Sequence, residues 1–552
     1  MTMKIAIAQI NPIIGDFQHN FSRIKHFSEK AKDLECDLIV FSELALSGYP
    51  PRDFLENNDF INTNLSYLNR LLVSIHGIGV ICGFIDRNPT DEGKPLYNSA
   101  VLFENGNILH KAHKRLLPTY DVFDESRYFE SGRECKSFLY KEYQMGLTIC
   151  EDGWSDKDIF KRKIYPIDPV ALVVQDGANI VINISASPFR VGTRDFRWHM
   201  FGFMARKYNI PFVFANQVGG NDSVLFDGTS AVFDENGGMV ARARDFEEDL
   251  ICFDTDMSAS SESFSSELHR VSDSDIESVF NALVMGTRDY VTKCGFSKAV
   301  IGVSGGIDSA VTAYIAVRAL GRENVSVVFM PSRYTSKDNF EDTEKLAKNI
   351  GTKLEHIPID GMFEAFLTYL SPSFHEDDPG IVEQNIQARI RGSILMGLSN
   401  RHSSIVLSTG NKSELAVGYC TLYGDMNGGL AVISDIPKTM VYELANFINK
   451  EKEVIPKRII EKPPSAELKP DQFDQDDLPP YEILDQILKG YIEDAKGVDD
   501  LIEMGIDKRL VKDVIHMVHR NEYKRYQAAP GLKVTSKAFG YGRRYPMAQR
   551  FT

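Results

Sequence analysis

Seven consecutive residues, Ser304-Gly-Gly-Ile-Asp-Ser-Ala310, have the makeup of an anion cradle. They follow the apolar run AVIGV and lead into an amphipathic stretch, so the chain is expected to turn from a strand end into a helix N-terminus with unsatisfied N–H groups. Gly305 and Gly306 allow close backbone approach to a phosphate, while Ser304 and Ser309 add hydroxyl donors. Asp308 is the odd member: a carboxylate beside a polyphosphate repels it unless a cation lies between, which points to magnesium. A second expected strand end, STGNKSE at 408–414, brings Thr409, Lys412 and Glu414 beside the first loop, with Glu414 as a second magnesium ligand. In the first half, Cys150 closes the run MGLTIC and enters EDGW, a strand end expected to expose its thiol. Glu43 ends another β-run and Lys114 follows a third, offering a base and a cation that activate a thiolate and steady an oxyanion. Each charge also has a plainer reading: Glu414 as a first-turn glutamate, Glu43 and Lys114 as surface groups.

These residues need a scaffold. With 43% hydrophobic and 25% charged residues, a soluble globular protein is expected, and a length of 552 fits three or four average domains or two large ones equally well. The net charge of −15 is a poor field for coating a phosphate backbone, so no nucleic-acid partner is expected. No apolar run reaches the roughly eighteen residues of a membrane span, and MTMKIAIAQI enters a strand pattern without a leader. Seven scattered cysteines without a CxxC pair fit a reducing, cytoplasmic home.

Short β-runs fill the first half, at 4–10, 37–43, 79–86, 99–106, 145–150, 178–185, 211–217, 230–238 and 250–256. Two of them continue through Asn105-Gly106 and Asn236-Gly237, both two-residue hairpin signals, so a mixed sheet in an α/β sandwich is expected. The Ser- and acid-rich stretch after it sets the boundaries: a first domain over 1–258, a linker over 259–275 and a second domain over 276–552. There strands at 299–306, 325–330, 354–359 and 405–411 alternate with helices, one ending near Leu320 and others over 338–350 and 382–400, which predicts a doubly wound parallel sheet. The Pro- and Asp-rich 461–480 reads as a mobile loop over a site.

No Walker-type GxxxxGK[ST] occurs, so the phosphate grip is of another kind. SGGIDS resembles the signature loop of the ATP pyrophosphatases, which cleave ATP to AMP and pyrophosphate while adenylating an oxygen. The resemblance implies that Ser304, Gly305, Gly306, Ile307, Asp308, Ser309 and Thr409 bind ATP, the co-substrate, with Mg2+ on Asp308 and Glu414. The first half resembles the nitrilase superfamily, of αββα fold, whose Glu-Lys-Cys triad is matched by Glu43, Lys114 and Cys150. Glu125 matches that superfamily's assisting glutamate, and ISASPF (184–189) its pocket lining; Tyr120, Glu125, Ser185 and Ser187 are the implied glutamine contacts.

Joined in one chain, the two halves resemble the glutamine-dependent NAD synthetase family over nearly the whole length. NIQARIRG (385–392), GYCTLYGDMNGGLAVISDIPKT (418–439), PPSAEL (463–468) and KRYQAAPGLKVTSKAFGYGRRYP (524–546) carry that likeness, although FDQDDLPPY has Asp477 where Glu is common. The resemblance implies that Arg389, Asp425, Lys438 and Lys524 surround deamido-NAD, that the 461–480 loop closes over the reaction, and that the chain forms a homodimer or larger. It further implies that glutamine hydrolysis supplies ammonia, that ATP adenylates the nicotinate carboxylate, and that ammonia displaces AMP to give NAD. Because free ammonia is mostly protonated near neutrality, a shielded passage is expected. Another glutamine-dependent ATP-pyrophosphatase amidotransferase, or an ammonia-only synthetase with a degenerate amidase half, stays open. A GMP synthetase would need a Cys-His-Glu glutaminase with a glycine-flanked elbow, which CEDGW does not fit; an asparagine synthetase would need an N-terminal cysteine; a tRNA-thiolating relative would show cysteine pairs and a basic surface.

Overall fold

In the computed structural model the chain divides into two compact units, Met1–Asp273 and Ser274–Thr552. The structure describes residues 2–256, 267–370, 380–470 and 472–551. Of the expected linker, the part up to residue 266 lies outside the described residues, and Glu267 to Asp273 belong to the first unit, where the Glu267 carbonyl accepts from Arg242 N at 2.9 Å.

Two six-stranded sheets build the first unit. One runs, edge to edge, Asp249–Asp254, Lys4–Gln9, Leu38–Val40, Gly79–Arg87, Leu96–Glu104 and Asn107–His113. The other runs Met239–Arg242, Ala231–Phe233, Phe212–Asn216, Ile180–Ser185, Tyr143–Ile149 and Ser137–Tyr140. Both are mixed, with parallel pairs at the centre and antiparallel pairs at the edges. Strand alternation decides the layers: Ile5 and Ile7 join a core with Ile149, Ile182 and Ile184 of the facing sheet, whereas Ala6 and Ala8 pack outward. On the outer face of the first sheet lies the helix Phe17–Asp33, capped by the Asp16 carboxylate on His19 N at 2.9 Å, with Phe17, Phe21, Ile24 and Phe27 buried. The helix Thr193–Tyr208 covers the second sheet through Met200, Phe201 and Met204. This is the αββα sandwich expected.

Asn105-Gly106 makes a two-residue hairpin, both residues having positive φ (48° and 84°) and Glu104 pairing with Asn107. Asn236-Gly237 does not. There the connection takes five residues, because the Asp234 side chain captures the N–H groups of Asn236 (2.9 Å) and Gly238 (2.7 Å) and holds a wider turn.

The second unit carries a parallel five-stranded sheet in the order Leu354–His356, Val325–Phe329, Ala299–Val303, Ile405–Ser408, Leu430–Ala431. Strand order reverses between Ala299–Val303 and Ile405–Ser408, so the loops leaving the carboxyl ends of these two strands open a crevice at a topological switch point. Both candidate phosphate loops leave from there. The helix Ile381–His402 packs Ile386 and Ile390 on the sheet, and a separate helical core formed by residues such as Leu484, Val511, Val514 and Val518 buttresses the helix Lys412–Val417. No helix among the described residues is long and apolar enough to cross a membrane.

Candidate active sites

Glu43, Lys114, Cys150 and Glu125 converge at one end of the sandwich. Lys114 directly follows the strand Asn107–His113 of one sheet and Cys150 directly follows Tyr143–Ile149 of the other. The Lys114 ammonium donates to Glu43 Oε1 and to Glu125 Oε1, both at 2.7 Å. Asn98 Nδ2 donates to Glu43 Oε1 at 2.6 Å, Tyr49 Oη to Glu125 Oε1 at 2.7 Å, and Ala186 N to Glu43 Oε2 at 2.9 Å. One ammonium thus faces two buried carboxylates. Burial, countered by Lys114 but reinforced by Glu43, pushes the Glu125 carboxyl up, while the two carboxylates outweigh burial on Lys114 and hold its ammonium well above its usual range.

The thiol is not exposed, contrary to the strand-end expectation: Cys150 is 3% accessible. The chain enters a tight turn over Cys150–Gly153 with Cys150 itself at φ 46°, and the buried thiol lies within the electrostatic reach of Glu43, Lys114 and Glu125. Burial and the Glu43 charge push the thiol well above its ordinary value, so it rests protonated beside a carboxylate able to take the proton. Tyr120, half exposed, donates to Glu151 Oε2 at 2.9 Å, as Tyr165 does to Oε1 at 2.8 Å. Ser185 Oγ donates to Asn183 Oδ1 at 2.7 Å, and Ser187 Oγ accepts from the fully buried Arg197 at 3.2 Å, so both hydroxyls are engaged by the scaffold.

In the second unit, a cavity of about 280 Å³ opens at the switch point, lined among others by Ser304, Gly306, Ile307, Asp308, Ser309, Thr409, Glu414, Asp425 and Lys438. Gly305 supplies the turn: its φ is +80°, and a Cβ there would lie 2.8 Å from Asn339 Oδ1. Lys438 Nζ donates to Asp308 Oδ2 and lies 3.5 Å from Glu414 Oε1. Asn411 ties the same two acids, donating to Asp308 Oδ1 (2.9 Å) and accepting from Glu414 N (3.0 Å) as the cap of the helix Lys412–Val417. Burial, countered by Lys438 but reinforced by Asp308, pushes Glu414 up; burial also lifts Asp425 to about 6. Pro463, Pro464, Glu467 and Leu468 of the expected loop line the cavity, and Glu467 and Lys462 bind the Asn339 amide behind Gly305.

Three basic residues expected at the site, Lys412, Arg389 and Lys524, are not among those that line this cavity. Lys412 turns away from the phosphate loop into a buried network with Glu493 (2.8 Å), Thr535 (2.7 Å) and Asp435 (3.0 Å); Lys438 is the cation that meets Asp308 and Glu414 at the cavity. Arg389 is exposed, its Nε donating to the Leu422 carbonyl, and does not line the cavity; Arg391 does. Helical phase explains the exchange, since Ala388, Arg391, Gly392 and Leu395 recur at the spacing of one face. Lys524 donates to the carbonyls of Gly418 (2.7 Å) and Cys420 (2.8 Å). Asn98, Tyr49, Glu151, Asn411 and Arg391 had no local signature, although the i, i+3, i+4, i+7 pattern around Arg391 was available.

Two family models match, a carbon-nitrogen hydrolase over residues 4–262 and an NAD synthase over 279–528. The chain is 45% identical to a glutamine-dependent NAD(+) synthetase of Synechocystis sp., over 99% of both chains, and 41% identical to one of Thermotoga maritima, over 100% of this chain and 99% of that one. The chain belongs to the glutamine-dependent NAD(+) synthetases. A solved synthetase of this kind from Acinetobacter baumannii, in complex with adenosine diphosphate, has 39% sequence identity and a TM-score of 0.76, covering 99% of this chain and 98% of that one. The first unit is therefore the hydrolase of an NAD synthetase and the second its synthase, and the enzyme is an ATP-dependent ligase.

Proposed function

We propose that the first unit hydrolyses glutamine at Cys150 and that the second uses the ammonia to amidate deamido-NAD at the cavity around Asp308. The observation that carries this reading is the pairing, in one chain, of a sealed Glu-Lys-Cys cluster with an anion-ready turn at the switch point of a parallel sheet. As the Cys150 sulfur attacks the glutamine side-chain carbonyl, Glu43 takes the thiol proton and the Lys114 ammonium stabilises the tetrahedral oxyanion. The proton passes to the departing nitrogen, ammonia leaves, and water then cleaves the thioester to release glutamate. Glu125, with its raised carboxyl, serves as a second proton store on the same lysine.

In the synthase a nicotinate carboxylate oxygen attacks the α-phosphorus of ATP and pyrophosphate departs into the turn Ser304–Ser309. Ammonia then adds to the acyl adenylate and AMP leaves. Asp308 and Glu414, both drawn to one cation in the structure, fit a magnesium site: Mg2+ takes one or two carboxylates, and substrate phosphates and water complete its shell. Bound there, Mg2+ would neutralise the pyrophosphate leaving group. Asp425 and Lys524 are proposed for deamido-NAD; Arg389 stands outside the cavity, and Arg391 is the better-placed cation for a phosphate. We also propose a cytoplasmic homo-oligomer, which sedimentation would measure. The deciding assay incubates the protein with ATP, Mg2+, glutamine and deamido-NAD and identifies products: NAD, AMP, pyrophosphate and glutamate in equal amounts support the reading, and ADP or no NAD overturns it.

A further inference from the structure

The hydrolase cluster is assembled across the gap between two sheets, from residues just past their strand ends. Lys114 is the first residue past the strand Asn107–His113, and Cys150 the first past Tyr143–Ile149. One buried side chain reaches both strand ends. Asp152, 3% accessible, accepts on Oδ1 from the backbone N–H groups of Arg115 (3.0 Å) and Leu116 (2.9 Å), the two residues after Lys114. Its Oδ2 accepts from the N–H of Ile149 (3.0 Å), the residue before Cys150. Each carboxylate oxygen is therefore committed to a different sheet.

We infer that Asp152 is a positioning residue of the glutamine reaction, a carboxylate bridge that sets the separation between the Lys114 ammonium and the Cys150 sulfur. It rests on the reading that these two residues carry glutamine hydrolysis. A carboxylate suits this task for a simple reason. Three backbone donors converge on it, and an acceptor-only group satisfies all of them, whereas an amide would turn an N–H2 toward one. The location is costly, since burial lifts the Asp152 carboxyl to about 7 even though all three N–H groups hold it down. A packing residue at this place would need no charge. The tight turn at Cys150, with its positive φ, is closed by the same bridge, because Asp152 reaches back over Cys150 to Ile149 N.

The test uses the full-length enzyme, with ammonia-driven NAD synthesis as the internal control for folding and a diazoketone analogue of glutamine to label Cys150. In Asp152→Asn, the amide keeps two acceptor contacts and sets N–H2 against the third donor. The expected result is kcat for glutamine hydrolysis down about tenfold or more with KM changed far less, since the bridge aligns reacting groups rather than holding substrate. Labelling should still reach one per chain, at a rate reduced in proportion, and ammonia-driven synthesis should be unchanged. Asp152→Ala should fall further if it folds; if it does not, Asp152→Asn carries the test alone. Sub-stoichiometric labelling at the wild-type rate would reveal a role in folding only and overturn the inference, as would an unchanged labelling rate and kcat, or a loss confined to KM. Glutamine-dependent synthesis surviving in Cys150→Ala would instead remove the reading underneath, and with it the bridge.

Discussion

Both units hold a buried lysine between two carboxylates, Lys114 between Glu43 and Glu125, and Lys438 between Asp308 and Glu414. In each clamp one positive charge is shared by two acids, and in each burial pushes one of those acids up. Their surroundings separate them. In the first, the lysine, Glu43 and Glu125 are 0%, 0% and 5% exposed, and Asn98, Tyr49 and Ala186 N occupy the remaining acceptor positions. That lysine cannot be displaced without leaving buried charge unpaired. In the second, Asp308 and Glu414 are 17% and 19% exposed at the wall of a cavity. On the function proposed above, one charge pattern serves two ends: a closed clamp keeps its ammonium as a reagent, while an open one leaves its carboxylates available to a cation that arrives with substrate.

The largest effect should separate the units completely. Cys150→Ala removes the thiol that the closed clamp serves, so glutamine-driven NAD synthesis should vanish while ammonium, added at rising pH, restores it through the untouched synthase. A buried cysteine that merely packed would lower both activities together through stability, or neither. Asp308→Asn should do the opposite and abolish synthesis from either nitrogen source while glutamine hydrolysis continues. Near-normal ammonia-driven synthesis in Asp308→Asn would dissolve the comparison, because the open clamp would then have no use for its charge.

How much of this could be read from the chain differs between the clamps. In the closed one, Glu43, Lys114, Cys150 and Glu125 all stood in local motifs, and they do meet. Asn98 and Tyr49, which saturate it, did not, because their roles depend on partners 55 and 76 positions away. The burial of Cys150 is not legible in the chain for a related reason: a strand end looks exposed until the facing sheet is in position. In the open clamp the phosphate turn was legible through Gly305, Asp308 and the strand before them. The strand end STGNKSE predicts Lys412 beside the first loop, but the helix it starts points it toward Glu493 and Asp435. Arg389 and Arg391 stand two residues, about 200° of helix, apart, so deciding which of them lines the cavity needs the phase of Ala388 and Gly392. The sheets themselves followed from alternation, as Ile5 and Ile7 against Ala6 and Ala8 illustrate.

A smaller effect should sharpen the contrast in rigidity. Asn411 spans the two acids of the open clamp, and Asn411→Ala removes both its hydrogen bond to Asp308 and its cap on the Glu414 helix. Loss of a helix cap typically costs about 1 kcal/mol, too little to unfold the unit. The expected change is a several-fold higher Mg2+ concentration for half-maximal ammonia-driven synthesis, with glutamine hydrolysis unaffected. An unchanged requirement would mean that the carboxylates are oriented by Lys438 alone.

The smallest effect is a pH dependence confined to the open clamp. Burial raises the Glu414 carboxyl above the ordinary carboxylate range, with Lys438 opposing and Asp308 reinforcing the shift. Between that range and the raised value, the metal-free enzyme therefore carries a proton on Glu414 that Mg2+ must displace. The sign follows directly: as pH rises through this window the proton is lost, so the Mg2+ requirement should fall, by at most about tenfold per pH unit for one proton, and should level off above it. Exchange of pyrophosphate into ATP in the presence of deamido-NAD measures the requirement without ammonia, whose own protonation would otherwise confuse the profile. Asp474 and Asp425, also raised by burial and also at the cavity wall, are further acids able to contribute. Glu414→Gln distinguishes them, since it should raise the requirement at every pH and flatten its slope if Glu414 is the group displaced. A slope that persists in Glu414→Gln would assign the proton to Asp474 or Asp425, which Asp474→Asn separates, and a requirement independent of pH in the wild type would mean that Lys438 keeps both clamp carboxylates ionised, as closed to protons as the first clamp is to solvent.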